Sequence, residues 1–261
     1  MPYPQWANCH LPFGIFSVTK SPRINPPGPV SVLPRRDKTG YARIEFLPMT
    51  AAHATWWHQN VQSIINTKYR ALSDSTPKNA HKKVRTDIDW DWELWHWLLS
   101  VHNFGHASAI KSPAMGLTLA AINEEGFAVP IGMMTLVPRY LCNSDKIGEK
   151  TYLWFLASAP STTYDDWLDG KALDGVGSAL IDAAIQESYK VKADGAVLLH
   201  ADPDGGQYLL DTYKGLGFTS LGSSFGPITL FRWRNRSQYM LLGAKEARKI
   251  IRDNEVYRNR T

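Results

Sequence analysis

The stretch Asp174-Gly175-Val176-Gly177-Ser178-Ala179-Leu180-Ile181 constrains this chain more than any other. A strand-like run, Tyr152 to Ser158, precedes it; a helical run, Val176 to Lys190, follows, and then a second strand, Ala196 to His200. Two glycines at a helix entrance let the backbone present several N–H groups to one anion, and the helix dipole adds positive potential there. Diphosphates are the usual anions of that size. A dinucleotide fingerprint would need Gly-x-Gly-x-x-Gly directly after a strand, but the third glycine position is Leu180 and 14 residues separate Pro160 from Gly175. The Gly-Lys-Ser/Thr of a P-loop is absent, and no acidic metal set of a kinase is apparent.

With 261 residues the chain can bury one sizeable core, so one main domain with appendages is expected. No apolar run approaches the length of a membrane span, and Met1-Pro2-Tyr3-Pro4-Gln5-Trp6 does not begin like a secretory signal. Cys9 and Cys142 are the sole cysteines, which argues for a reducing compartment, the cytoplasm, and against a disulfide framework. The net charge of +5 is uneven: residues 141–231 hold six Lys against twelve Asp/Glu, whereas 232–261 hold nine Lys/Arg against three acids. The basicity therefore belongs to the ends, as solubilising tails or as contacts to an anionic partner.

Residues 1–40 contain eight of the sixteen prolines and no sustained period, so they read as an extended arm. Arg43–Leu47 alternates as a strand, and Thr50 can cap an amphipathic helix over 51–70 built on Trp57, Val61, Ile64 and Ile65. A loop with Lys78, His81, Lys82, Lys83 and Arg85 leads to a helix over about 88–103 carrying Trp90, Trp92, Trp95 and Trp97, which suit packing on a sheet better than a stacking surface. His96, His102 and His106 have no acid or cysteine to complete a ligand set, so no metal is expected. Met115–Ile122 and Ala128–Val137 form a hairpin about Asn123-Glu124-Glu125-Gly126, and Thr151–Ala159 is the next strand, with Leu153, Phe155 and Ala157 on one face. After 196–200 come a short helix, 206–214, strands near 218–222 and 228–233, and a basic tail, 237–261, that could dock as a helix. The class is α/β (α+β): a mixed, mostly antiparallel central sheet flanked by helices.

Leu156-Ala157-Ser158-Ala159-Pro160, Gly175-Val176-Gly177-Ser178-Ala179-Leu180 and Thr212-Tyr213-Lys214-Gly215-Leu216-Gly217-Phe218, in that order, resemble the GNAT superfamily of N-acetyltransferases. The resemblance covers about 41–233 by element order, within a domain over 41–236 between arm and tail, and is specific over 152–218. It implies an acetyl-CoA-dependent transfer to an amine by direct attack. The backbone of Leu156, Ala157 and Ser158 would pair with the pantetheine arm, with an N–H near Ala157 on the thioester oxygen. The amides of Asp174, Gly175, Val176, Gly177, Ser178 and Ala179 would hold the diphosphate. Tyr213 would be the general acid, its ordinary pKa of about 10 being near enough to a thiol's to share a proton. His200, ahead of Asp202 and Asp165, would pass the amine's proton to water.

Two departures stand out. Where the family usually has Gln or Arg three residues before the first glycine, this chain has Ala172, with Lys171 as a stand-in. The loop over 161–174 is also longer than usual. The acceptor would be a small-molecule or peptide amine, with no membrane partner and with homodimerisation left open. The alternatives are a catalytically idle partner-binding module, or an acetyltransferase acting on a nucleic-acid-linked amine such as aminoacyl-tRNA.

Overall fold

The computed structural model describes residues 27–75, 85–105, 113–141, 147–191, 193–222 and 238–258. Its strands are β1 (Val32–Pro34), β2 (Tyr41–Pro48), β3 (Met115–Ile122), β4 (Ala128–Leu141), β5 (Glu149–Ser158), β6 (Val197–His200), β7 (Phe218–Ser220) and β8 (Tyr239–Leu242). They form one sheet in the order β1-β2-β3-β4-β5-β6-β8-β7. Neighbours run antiparallel except β5 and β6, which are parallel. The β3–β4 turn is held by Asn123, whose Oδ1 accepts from the N–H groups of Glu125 (3.1 Å) and Phe127 (2.8 Å).

Helices cover both faces. On one face lies α5 (Val176–Lys190), burying Leu180, Ile181, Ala184 and Ile185 against Leu119, Ile131, Leu136 and Leu153. A Cβ at Gly132 of β4 would stand 3.0 Å from Leu180 Cδ1 and 3.1 Å from Val176 Cγ1, so a glycine lets the first turn of α5 press onto the sheet. On the other face α1 (Ala51–Trp57) continues through a π turn, His58–Gln62, into α2 (Ser63–Ser75), and α3 (Trp92–Gly105) packs beside them. Trp57, Val61, Ile65 and Trp92 bury there against Met133 and Ala157. Thr50 caps α1 as expected: its Oγ1 accepts from His53 N–H (3.2 Å), and His53 Nδ1 accepts from Thr50 N–H (3.3 Å).

The fold departs from expectation where context overrides composition. Val30, Val32 and Leu33 of the proline-rich arm are buried, and β1 pairs with β2, so Val32–Pro34 are part of the sheet. The tail from 237 is not helix alone: Tyr239–Leu242 is an inner strand between β6 and β7. Beyond it α7 (Ala244–Asp253) docks through Ala247, Ile250 and Ile251, leaving Lys245, Arg248, Lys249 and Arg252 exposed. The 161–174 loop folds in part as α4 (Ser161–Trp167). Of the four tryptophans near α3, Trp92 is fully buried and Trp90 and Trp95 are half-buried, but Trp97 is 58% exposed. The strand expected at 228–233, both cysteines and the basic loop residues Lys78–Lys83 lie outside the described residues.

The C-terminal segment is fastened by a buried ion pair. Arg258 Nη2 and Nη1 donate to the two oxygens of Asp182 on α5, at 2.5 and 3.0 Å, with side-chain exposures of 1% and 0%. Arg258 Nη1 also donates to Gly28 O, tying the first described residues to the last. Arg258→Ala strands the Asp182 carboxylate and should cost about 3–5 kcal/mol of stability in denaturant unfolding, whereas the apolar pair Asp182→Leu with Arg258→Met should recover most of it.

Candidate active site

Parallel pairing joins β5 to β6 at only three positions, Thr151↔Val197, Tyr152↔Leu198 and Leu153↔Leu199. Beyond Leu153 the strands part: β5 runs on to Ser158, while β6 ends at His200 with its other edge on β8. A bulge marks the point of divergence. Thr135 of β4 opposes Phe155 and Leu136 opposes Leu153, so Trp154 is the extra residue. The bulge also resets the alternation. Leu153 and Leu156 pack toward α5, whereas Trp154 packs near Leu99 of α3, and Phe155 and Ala157 join the α1–α3 core. The strict alternation expected, with Leu153 on the face of Phe155 and Ala157, therefore fails at one residue.

The backbone at the fork has a definite polarity. Ala159 N–H donates to Ile131 O (2.8 Å), and the register Gly132↔Ser158, Met133↔Ala157, Met134↔Leu156 is unbroken. In an extended strand the amides alternate, so Ala157 N–H also turns to β4, and those of Leu156 and Ser158 turn away from it, to the open side. The open-side donors near Ala157 are thus the N–H groups of Leu156 and Ser158. The Ser158 carbonyl is engaged: Arg85 Nη2 donates to it at 2.7 Å while Nε (2.8 Å) and Nη2 (2.5 Å) hold Asp87.

The open side is a cavity of about 530 Å³. Its walls include Trp154 to Ser158 of β5, Gly175, Gly177 and Ser178 at the start of α5, His200 and Asp202, and Tyr208, Thr212 and Tyr213 of α6 (Gly206–Gly215). Tyr213, His200 and the Leu156–Ser158 backbone, distant in sequence, thus share one space. Burial, with a smaller push from Asp202, raises the Tyr213 phenol to about 12. The His200 ring, 7% exposed, stands 4.6 Å from that of Tyr239. Asp202 accepts from Asp204 N–H (2.9 Å) as the cap of a short 3₁₀ turn. Asp165 is exposed on α4 and lines neither this cavity nor the next.

At the far end sits the entrance to α5. Gly175 has φ 83°, a conformation that costs an L-residue but not glycine, and it precedes the first helical turn. The amides of Val176, Gly177 and Ser178 fall among the orphan donors of that turn. Two others expected in this cradle are already committed to the fold: Asp174 N–H donates to Pro34 O (3.0 Å) and Ala179 N–H to Gly175 O (2.8 Å). Ala179 is 2% exposed and belongs to the core. A second cavity of about 420 Å³ adjoins the first, sharing Arg85, Ser158, Gly175 and Gly177 and adding Arg36, Tyr69, Tyr164, Asp174 and Val176. Lys171 is elsewhere, with its Nζ 2.5 Å from Glu124 Oε1. Arg36 and Tyr208 carry no local motif, and Arg85 and Tyr164, which the sequence offers only as members of the basic loop and of the 161–174 loop, reach this groove through the tertiary arrangement.

A parallel strand pair that splays at a bulge, with a Gly-x-Gly helix entrance on one side and a tyrosine helix on the other, decides the architecture. The sheet is mixed and mostly antiparallel with helices on both faces, the class expected from the sequence. No family model matches the chain. No curated protein matches it either. Among solved structures, a tyrosine-to-phenylalanine mutant of the toxin AtaT bound to the C-terminus of the antitoxin AtaR and acetyl-CoA matches at 14% identity, covering 79% of this chain and 97% of that one, with TM-score 0.40. A mutant of KacT matches at 13% identity over 79% of this chain and 98% of that one, with TM-score 0.38. The KacTA–DNA complex matches at 18% identity over 62% and 86%, with TM-score 0.38. Among the described residues no group of three or more His, Cys, Asp and Glu is placed to hold a metal ion, and no helix is long and apolar enough to cross a membrane.

Burial raises the phenols of both Tyr213 and Tyr164 above their ordinary value of 10.0. A group raised in the folded state contributes stability that is complete below its unfolded pKa and declines as pH climbs toward the folded value. In a spectrophotometric titration of the native protein, Tyr213→Phe should leave the phenolate step around pH 10 unchanged. Alkaline unfolding should set in later in that variant than in the parent chain.

Proposed function

We propose that this protein is an acetyl-CoA-dependent N-acetyltransferase. One observation carries the reading: the unpaired edge of β5, the α5 entrance and Tyr213 border a single cavity of about 530 Å³. A pantetheine arm lying along β5 would meet the outward backbone groups of Leu156 and the N–H of Ser158, while the diphosphate would meet Val176, Gly177 and Ser178. The chemistry needs no metal. An unprotonated amine attacks the thioester carbonyl carbon, the carbon–sulfur bond breaks, and the electron pair leaves with the sulfur. Outward N–H groups on β5 would stabilise the oxygen that gains charge.

Tyr213 supplies the proton for the departing sulfur. Its raised phenol stays neutral throughout the physiological range, so the donor is always loaded. The same rise makes it a weaker acid than a free phenol, which makes hydrogen bonding to the sulfur as it gains charge the larger part of its role. His200, at the end of β6 and lining the same cavity, would receive the proton that the attacking ammonium must lose. The acceptor is an amine of a small molecule or peptide, entering from the side lined by Trp90, Trp154 and Phe155.

Calorimetric titration with acetyl-CoA tests the reading directly; absence of binding would overturn it. Tyr213→Phe should lower turnover on an amine panel by roughly 10²-fold or more while leaving the acetyl-CoA dissociation constant within about twofold. Gly177→Leu, which projects a side chain into space that is open around the glycine, should keep the melting temperature near that of the parent and abolish acetyl-CoA binding.

A further inference from the structure

The phosphate end of the groove lacks the cation that its own motif would place at Ala172, and Lys171 is turned to Glu124. A diphosphate met by backbone amides alone would keep most of its charge uncompensated. Two side chains from outside the motif face this end of the groove. The first is Arg36, in the turn after β1. Its backbone is stitched to the loop ahead of α5: Arg36 N–H donates to Ala172 O (2.8 Å), Arg35 bridges to Leu173, and Asp174 N–H returns to Pro34 O (3.0 Å). The Arg36 guanidinium uses Nε on Asp174 Oδ1 (2.9 Å), and its Nη1 and Nη2 have no hydrogen-bond partner among the described residues. The second is Tyr164 of α4. It is 2% exposed, it lines the 420 Å³ cavity, and its hydroxyl has no hydrogen-bond partner among the described residues. The Tyr164 ring is buried while its hydroxyl, at the cavity wall, is left to serve a ligand there as a hydrogen-bond donor.

We infer that Arg36 and Tyr164 form the side-chain half of a phosphate site whose backbone half is the α5 entrance, and that Asp174 holds Arg36 in place until a phosphate takes over the guanidinium. The inference rests on the acetyl-CoA reading for the identity of the phosphate carrier, but not for the anion chemistry. Arg85, at the seam of the two cavities, is committed to Asp87 and to Ser158 O and adds only background potential. Arg36 is half-exposed and joined to a single carboxylate oxygen, an arrangement that a doubly charged ligand can displace.

The test uses the full chain with two probes, coenzyme A and inorganic pyrophosphate, and one phosphate-free donor, S-acetylpantetheine. Arg36→Gln should weaken coenzyme A binding by about tenfold to a hundredfold, the range for loss of a charge-assisted hydrogen bond, and Tyr164→Phe by about threefold to tenfold. Pyrophosphate should raise the melting temperature of the parent chain and not that of Arg36→Gln. Asp174→Asn, which releases the guanidinium, should bind coenzyme A at least as tightly as the parent. Both Arg36→Gln and Tyr164→Phe should use S-acetylpantetheine as the parent does. Unchanged coenzyme A affinity in both variants would overturn the site, as would equal losses with S-acetylpantetheine, because those would mark a merely structural role. A parent chain stabilised by pyrophosphate but indifferent to coenzyme A would sustain the anion site and remove the acetyl-CoA reading.

Discussion

The separation of β5 from β6 is the constraint on which the rest depends. A sheet lowers its free energy by pairing every inner edge, yet here two neighbouring strands stop pairing after three residues. Two features keep them apart. The bulge at Trp154 bends β5 and adds twist, and β8 takes the other edge of β6, fixing that strand's direction. Helices then wall the gap: α5 below, held against β4 by the absence of a side chain at Gly132, and α6 along the far side. The outcome is a stretch of strand edge whose outward amides, with the Leu156 carbonyl, have no strand partner, while Arg85 holds the Ser158 carbonyl, and such an edge is what an extended amide-bearing ligand can use.

Charge is distributed along the groove to match. At the tyrosine end the surroundings are apolar enough to hold a phenol neutral well above its ordinary range. At the other end the helix entrance, Arg36 and Arg85 supply positive potential, moderated by Asp174 and Asp87. Each guanidinium is paired with a carboxylate, but the two pairs differ. Arg85 and Asp87 are largely buried and also brace the end of β5 through Ser158 O, so that pair is structural. Arg36 and Asp174 are both more than half exposed, and an exposed pair with one hydrogen bond is easily exchanged.

Particular residues show how far local reasoning reaches. The Thr50 cap, the Asn123 turn and the Val176–Lys190 helix follow from short-range chemistry and appear where that chemistry puts them. Tyr239–Leu242 is apolar and short, and nothing local distinguishes a strand from the face of a docking helix; the free edge of β6 settles it. Val30–Pro34 sits in a proline-rich stretch, but an edge strand tolerates proline at its end, and β2 offered a partner. Strict alternation along β5 failed because a bulge depends on two strands, and its register is invisible in one of them.

The glycine turn, the tyrosine segment and their spacing were determined by the sequence itself, because a helix entrance with positive φ and its orphan amides is a property of consecutive residues. The family resemblance extended the cradle to Asp174 and Ala179, whose amides the folded chain uses itself, the first through a tertiary contact and the second in the helix's own ladder. Pro34 O takes one amide and the helix takes the other. Only the folded chain could bring Arg36, 138 residues before Asp174, onto the same anion site, or leave the Tyr164 hydroxyl facing it unpaired. The physical reason is range: backbone conformation is set by neighbours in sequence, whereas electrostatic and hydrogen-bond partners are set by whatever packing brings within a few ångströms.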